Sequence, residues 1–451
     1  TAAFCRYSSF DMVEGDGSAF PKASMGCWKM ESTPNGDVDL VLRRCHLPDG
    51  RGPLDIAIVG GAIREISESI LHPGALTLDV DGKLVAPAFV DSHVYLDKVH
   101  LADEAGFRPG AFGERDLLDL TQGAAGVMGL DGIERRARRF LSQAVRHGTT
   151  VLRGVADVFP EVGTKRVELF LRLKEEFSSR LDLQILAYPQ FGVVRTPGTL
   201  DLLREALVLG ADVLGGTPAF DSDLDQHLDL LFGLAQSRGC RLHFSLDMDL
   251  LDERPAEQLE VWGVIERTLA AGYEGRVSVG HLCALDSMNP QETRRAIEAV
   301  RRARLHVLVF ASAQLYRQGR NDPKDVRRGL TRVKELLATG VNVAYTSNDV
   351  RDAFNPFGNG DLLLEGLIAA QGAHLGSDDE LNTVFEMGTK NAARVLGIEE
   401  SYGIEVGKRA DLVVFDAPSA VEAIRSQSEK THVIKRGRLM VRNQRVTEFV
   451  E

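Results

Sequence analysis

His93 and Tyr95 are the most informative pair of side chains in the sequence. They follow an apolar run at residues 84–90 and precede the polar residues Asp97 and Lys98. If the run is a β-strand that continues through this point, residues two apart share a face, so both rings point to the same side. An imidazole serves as a metal ligand or an acid–base group, and a phenol donates hydrogen bonds. The pair therefore predicts a functional site at the end of this strand.

Further polar side chains follow other apolar runs. They are Asp157, Gln190, His243, His281, Asn348 and Asp349, together with a polar segment at 314–320 that ends in Arg320. One histidine beside an apolar run is usually a core residue, but three at separate run ends indicate one shared site. Asn348 and Asp349 are adjacent, so they would face opposite sides of a continuing strand. Asp349 is expected to reach the site only if the strand ends there.

Short apolar runs alternate with amphipathic helical stretches through the middle of the chain. The eight runs span residues 84–90, 150–157, 183–189, 212–216, 241–245, 276–281, 306–312 and 342–348. Eight buried strands alternating with helices predict an α/β fold, a (β/α)8 TIM barrel, in which the active site lies at the C-terminal ends of the strands. An open doubly wound sheet is the alternative, but no Gly-x-Gly-x-x-Gly motif follows an early strand.

The two ends of the chain contain short strand-like segments that are too small to fold alone. We predict that residues 38–86 and 398–445 join in one small β-sandwich domain beside the catalytic barrel of residues 87–397. Residues 1–37 are rich in Gly, Ser and other polar residues, which predicts a loose N-terminal arm.

The composition limits the classes of partner. The formal net charge is −12, which argues against nucleic acid and anionic membranes because both attract basic surfaces. No stretch of about 18 apolar residues is present, so no membrane span is expected. Five widely spaced cysteines without a Cys-x-x-Cys motif are typical of reduced thiols, and we predict a cytoplasmic protein. Self-association into a homo-oligomer stays open.

Several segments together carry a resemblance to a known family. GTTVLRGVADV at 148–158, LQILAYPQFG at 183–192, ADVLGGTP at 211–218 and GHLCALDS at 280–287 appear in the order and spacing of that family, as do shorter segments at 318–320, 331–336 and 348–358. Over roughly residues 38–445 the chain resembles the cytosine deaminase and N-isopropylammelide amidohydrolase branch of the amidohydrolase superfamily. The resemblance implies a small nitrogen heterocycle as substrate.

The chain departs from this branch at its metal site. The resemblance implies one zinc or iron ion held by two strand-1 histidines, a strand-5 histidine and a strand-8 aspartate. His93 and His243 match two of these positions, but Tyr95 and Asn348 stand at the other two, and Leu246 replaces the proton-shuttling glutamate. A neutral phenol and a neutral amide are poor ligands. We therefore predict no cofactor, with weak zinc or iron binding through His93 and His243 left open.

The resemblance also implies residue roles. His281 matches the histidine that contacts the reacting water, and Gln190 and Asp349 match positions that bind the heterocycle. The predicted catalytic residues are His281, Asp349, His243, His93 and Tyr95. The predicted substrate-binding residues are Gln190, Asn348, Asp157 and Arg320.

The expected function is hydrolysis or deamination at a non-peptide C–N bond of a cyclic amide, imide or amidine, without metal or with a weakly held one. One alternative is a non-hydrolytic lyase, isomerase or cyclase that uses the same pocket. A second is a catalytically inactive homologue that only binds a small molecule. The retained histidines and Asp349 favour an enzyme, since an inactive pocket need not keep them.

Overall fold

The computed structural model describes residues 38–72, 74–105, 129–250, 255–320 and 322–450. Within these ranges, eight parallel strands form the central sheet. They are β6 (Phe89–Val94), β7 (Thr149–Asp157), β8 (Asp182–Tyr188), β9 (Val213–Gly216), β10 (Arg241–Leu246), β11 (Val277–His281), β12 (His306–Val309) and β13 (Asn342–Tyr345). Each strand pairs with the next one along the chain, and a parallel bridge between Val94 and Asn348 joins the last to the first. The predicted (β/α)8 barrel is confirmed.

Helices cover the outside of the barrel. In the described part of the chain they are α1 (Leu101–Ala105), α2 (Leu130–Arg146), α3 (Lys165–Phe177), α4 (Thr199–Leu209), α5 (Leu224–Arg238), α6 (Glu260–Ala271), α7 (Pro290–Arg302), α8 (Ala311–Arg317), α9 (Val333–Ala338), α10 (Leu362–Ala373), α11 (Asp378–Met387), α12 (Lys390–Leu396) and α13 (Ala420–Ser426). The amphipathic pattern of α2 buries Ile133 and Phe140. Gly239 ends α5 in the left-handed conformation that a helix C-terminus favours.

The first predicted barrel strand, residues 84–90, is divided between two sheets. Its first part, β5 (Leu84–Pro87), pairs antiparallel with β14 (Leu412–Phe415) outside the barrel. The backbone hydrogen bonds pass from the outer sheet to the barrel between the next two residues. Ala88 N–H donates to the carbonyl of Asp411, which precedes β14, whereas Phe89 N–H donates to the carbonyl of Gly148, which precedes barrel strand β7. The barrel strand therefore begins at Phe89, and it carries His93 farther along the same strand.

Two smaller sheets, each of four strands within the described residues, are built from the chain ends. One contains β1 (Val38–Cys45), β2 (Leu54–Val59), β3 (Ala62–Ser67) and β4 (Gly74–Asp79), and the other contains β5, β14, β15 (Lys430–Lys435) and β16 (Arg438–Arg442). Leu40 and Ile56 of the first sheet share a core with Val85, Leu412 and Ile434 of the second. Sheets from both chain ends thus pack together, as the expected sandwich requires.

The domain boundaries stay a prediction, and the predicted arm of residues 1–37 lies outside the described residues. Among the helices that the structure describes, none is both long enough and apolar enough to cross a membrane.

Candidate active site

A pocket opens at the C-terminal ends of the barrel strands, with about 360 Å³ of empty space when its solvent mouth is included. Five of the predicted site residues line it: Tyr95, Gln190, His281, Asn348 and Asp349. Lys98, Thr217, Phe220, Met248, Arg317 and Phe354 complete the lining. A concave, partly aromatic pocket with a few convergent polar groups is the kind of site at which proteins bind small ligands.

His93 and His243 lie together in the barrel core. Both side chains are fully buried, and their ring centroids are 4.5 Å apart. His243 Nδ1 contacts Ser278 Oγ at 3.0 Å, whereas Nε2 of His243 and both ring nitrogens of His93 have no hydrogen-bond partner. Burial lowers the pKa of His93 to about 3 and that of His243 well below its ordinary value. Both rings are therefore neutral near pH 7, with nitrogen lone pairs available.

The end of strand β13 brings two adjacent residues into the pocket. The strand ends at Tyr345, and Asn348 adopts a left-handed conformation with φ of 50°. Its backbone N–H donates to the carbonyl of His93 and its carbonyl accepts from the N–H of Tyr95, which fixes the turn against strand β6. Because the extended conformation is broken here, Asn348 and Asp349 both line the pocket.

His281 is held by a neighbouring amide. Nε2 of Gln314 contacts Nδ1 of His281, and burial lowers the pKa of this imidazole well below its ordinary value. If the amide nitrogen donates to Nδ1, the neutral ring carries its proton on Nε2. His281 also has a positive φ of 70°, an uncommon conformation for a non-glycine residue that is typical of functional sites. His281 can thus donate a hydrogen bond into the pocket.

Tyr95 is partly buried and lies beside the buried side chains of Tyr188 and Thr217. Its ring lies perpendicular to that of Tyr188, with centroids 6.0 Å apart, and Tyr188 Oη lies 2.5 Å from Thr217 Oγ1. Burial, together with the charges of Tyr188 and Asp349, raises the pKa of Tyr95 well above its ordinary value. Tyr95 is therefore a neutral donor, and the ammonium of Lys98 lies 4.6 Å from its ring centroid.

Asp157 lies beneath the pocket in a buried ion-pair cluster. Lys98 Nζ contacts Asp157 at 2.8 Å and Asp97 at 3.2 Å, and Arg166 contacts the same two carboxylates at 2.9 and 2.6 Å. Two cations thus balance two anions, and Asp157 is absent from the pocket lining. Arg320 is exposed, donates to the carbonyl of Tyr316 and does not line the pocket. The substrate-binding roles of Asp157 and Arg320 stay predictions.

Asp349 interacts with a second buried carboxyl group, that of Asp352. Burial, followed by the charge of Asp352, raises the pKa of Asp349 well above its ordinary value. Burial also raises the pKa of Asp352, to about 6, although backbone N–H groups of Asn355 and Phe354 oppose this shift. Asn348 Nδ2 donates to Asp349 Oδ2 at 2.6 Å. Asp349 is thus the member of the pair that holds a proton more tightly.

Whether a metal ion suits this site depends on the buried ligand atoms that have no hydrogen-bond partner. No group of three or more His, Cys, Asp or Glu side chains in the described residues could hold an ion, so a site here must include another kind of ligand. Asn348 Oδ1 is buried without a partner, as are the ring nitrogens of His93 and Nε2 of His243. Two neutral imidazoles and one amide oxygen fit an ion that keeps open positions for water.

Sequence reasoning missed several of the lining residues. Lys98 follows Tyr95 by three residues, and its charge was a usable signal. Thr217 and Phe220 follow strand β9 directly, which also could have been noted. Met248 and Phe354 lie in irregular segments after strands β10 and β13, where residue type alone gives no signal.

Comparisons with known proteins identify the family of the chain. The sequence profile of the Amidohydrolase family matches residues 76–441. The chain is 32% identical to N-isopropylammelide isopropyl amidohydrolase from Pseudomonas sp. (strain ADP), covering 90% of this chain and 98% of that protein.

Solved structures show the same fold. The structure of N-isopropylammelide isopropylaminohydrolase from Burkholderia multivorans has a TM-score of 0.78 and 27% identity, covering 90% of this chain and 98% of that one. The 5-methylcytosine deaminase from Klebsiella pneumoniae, liganded with phosphonocytosine, has a TM-score of 0.83 at 24% identity, covering 91% and 100% of the two chains.

The main prediction for cofactors, that the protein uses none, is wrong. The atrazine chlorohydrolase TrzN from Arthrobacter aurescens, solved in complex with zinc, shares the fold with a TM-score of 0.69 at 16% identity, covering 90% of this chain and 95% of that one. The prediction judged the metal site from the types of two residues, Tyr95 and Asn348, and did not consider that buried, unpartnered imidazoles favour an ion.

The family match spans the whole barrel and part of both chain ends, and the relative at 32% identity is aligned over nearly its whole length. The chain belongs to the Amidohydrolase family and is a hydrolase that acts on carbon–nitrogen bonds other than peptide bonds.

Proposed function

We propose that this protein hydrolyses a C–N bond of a small cyclic amide, imide or amidine, with a zinc or iron ion held by His93, His243 and the side-chain oxygen of Asn348. The observation that carries the proposal is that ring nitrogens of His93 and His243 and the side-chain oxygen of Asn348 are buried without hydrogen-bond partners, while Asn348 lines the pocket with other polar residues. The similarity to N-isopropylammelide isopropyl amidohydrolase supports a nitrogen heterocycle as the substrate. A cytoplasmic location and self-association stay predictions.

The proposed ligands would hold such an ion, because both imidazoles are neutral, which is the protonation state that binds metals. The hydroxyl of Thr346 donates to the carbonyl of His93, and Ser278 orients the ring of His243. When bound, such an ion acts as a Lewis acid and makes water a better nucleophile.

The residues around the pocket position the substrate. Gln190 presents an amide that pairs with the amide or amidine edge of a heterocycle, since its donor and acceptor match such an edge. Tyr95 and His281 are neutral donors on the pocket wall, and they stabilise negative charge on a substrate oxygen. Phe220 and Phe354 offer apolar surface to a planar ring.

The leaving nitrogen needs a proton, and the chain offers few groups to supply it. Leu246 stands at the position of the family's acid and is fully buried. Asp349 lies in the pocket lining and is the carboxyl group nearest in sequence to the ligand Asn348. We assign the proton transfer to Asp349, with His281 orienting the attacked group. None of the relatives described above is named for a lyase, isomerase or cyclase reaction.

Purified protein, stripped with a chelator and reloaded with zinc or ferrous iron, tests this function on a panel of cyclic amides, imides and amidines. Turnover should depend on the added metal, and calorimetry should detect zinc binding that His93→Ala and His243→Ala each abolish. The exposed His374 provides the matched control, because His374→Ala removes an imidazole without touching the pocket. Zinc binding without turnover on any member of the panel would contradict the proposed reaction.

A further inference from the structure

The loops that follow strands β8 and β9 are tied together by one side chain, that of Asp221. The first loop carries Gln190, and the second carries Thr217 and Phe220, all of which line the pocket. Asp221 directly follows the short 3-10 helix Pro218–Phe220. Its side chain is fully buried although it lies in a loop. Burying a carboxylate raises the free energy of the folded state unless the group is fully hydrogen-bonded, so the partners of Asp221 indicate its structural role.

Asp221 accepts hydrogen bonds from three consecutive backbone N–H groups of the other loop. Oδ2 accepts from Val193 at 2.7 Å and from Val194 at 3.0 Å, and Oδ1 accepts from Arg195 at 2.6 Å. It also accepts from its own neighbour, Ser222 N–H, at 2.8 Å. These bonds begin three residues after Gln190, so they set where that loop lies relative to the pocket.

His227 of helix α5 completes the arrangement. Its Nδ1 lies 2.7 Å from Asp221 Oδ2, and both side chains are fully buried. Burial alone would raise the pKa of Asp221, but the bonds from His227 and the backbone N–H groups hold it below its ordinary value. The carboxylate is therefore charged near neutral pH, and charge-assisted hydrogen bonds of this kind are strong.

Two glycines make room for the pair. Gly192 has a φ of 88°, and a Cβ there would lie 2.5 Å from the carboxyl carbon of Asp221. A Cβ at Gly216 would collide with the His227 ring. The backbone of the first loop and of the end of strand β9 thus approaches the two side chains more closely than any other residue type would allow.

We propose that Asp221 and His227 form a positioning pair that holds Gln190 against the edge of the substrate and so sets substrate affinity and selectivity. Neither residue lines the pocket or touches the groups assigned to proton transfer, so the pair acts through the loop and leaves the chemical step alone. The inference rests on the proposed function for its substrate, but the loop geometry can be tested without one.

Hydrogen exchange measures the loop directly in the intact chain. In Asp221→Asn, the amides of Val193, Val194 and Arg195 should exchange at least about tenfold faster, because the variant loses charge-assisted acceptors. The matched control is Asp223→Asn, since Asp223 is exposed and caps helix α5 through Gln226 N–H at 2.9 Å. It should leave those three amides unchanged. Equal exchange rates in Asp221→Asn and the parent protein would overturn the inference.

Steady-state kinetics then tests the consequence for the substrate. Asp221→Asn should raise KM about tenfold, the equivalent of roughly one hydrogen bond to the substrate, while kcat stays within about threefold. His227→Asn, whose amide nitrogen replaces Nδ1 as a donor, should restore most of the affinity that His227→Ala loses. A fall in kcat at constant KM would also overturn the proposal. If no panel substrate is turned over, the proposed function fails, and the exchange experiment alone decides whether the pair positions the loop.

Discussion

Glu365 provides a prediction whose size follows from its surroundings. It lies in helix α10 with 6% of its surface exposed, and its carboxylate accepts from Ser312 Oγ at 2.8 Å and Ser312 N–H at 3.3 Å. Burial raises the pKa of Glu365 from 4.5 to about 7. The two bonds from Ser312 oppose this shift, and the charges of Asp91 and Asp361 add to it. Ser312 also accepts from Asn355, whose side chain binds the carbonyl of Asp349. The group therefore lies directly behind the pocket.

The sign of the effect follows from proton linkage. Because the pKa of Glu365 is higher in the folded chain than in the unfolded one, the folded chain holds the proton more tightly. This contribution to stability is fully present below pH 4.5 and is lost as the pH rises through about 7. The full loss is roughly 3 kcal/mol, and the part between pH 5 and pH 8 is roughly 2 to 3 kcal/mol. Glu365→Gln stays neutral and does not incur this loss.

Urea unfolding at pH 5 and pH 8 measures the difference. The free energy of unfolding of the parent protein, relative to that of Glu365→Gln, should fall by roughly 2 to 3 kcal/mol between the two pH values. Glu386→Gln is the control, because Glu386 is exposed and pairs with Lys390 on the surface. Parallel pH profiles for the parent protein and Glu365→Gln would refute the reasoning, since they would mean that Glu365 ionises without penalty in the folded state.

Four further variants concern the active site. Tyr95→His combined with Asn348→Asp should raise zinc affinity at least about tenfold, since it adds an imidazole and a carboxylate to the two imidazoles present; unchanged affinity by calorimetry would contradict the assigned ligands. His281→Ala and Asp349→Ala should each lower kcat at least about 100-fold, because the first removes a donor that stabilises charge on the substrate oxygen and the second removes the group that transfers the proton. Leu246→Ala should change kcat far less, because its side chain carries no proton. Near-normal turnover in both the His281 and Asp349 variants would place the proton chemistry elsewhere.

Much of the fold and part of the site could be predicted from local sequence patterns. The apolar runs mark the barrel strands because a strand buried on both faces must be apolar along its whole length. His93, Gln190 and His281 were found because residues at the ends of such runs must lie at one end of a parallel barrel. The family resemblance rested on the same segments, and the family match confirms it.

Other features depend on which distant groups meet. The run 84–90 reads as one strand, but the backbone groups of Asp411 and Gly148 divide it between two sheets. Asp157 follows an apolar run just as His281 does, yet Lys98 and Arg166 draw its carboxylate into an ion-pair cluster beneath the pocket. No local pattern distinguishes these outcomes, because each is set by partners far away in the sequence.

The sequence by itself determined the barrel, the family and the order of the polar residues along the strand ends, because these follow from periodicity and residue type. Only the tertiary structure decided that Asn348 turns into a left-handed conformation beside His93, that both ring nitrogens of His93 and Nε2 of His243 lack protein partners, and that Asp221 joins two loops. The physical reason is that a polar atom's role depends on which donors and acceptors remain unpaired around it after folding.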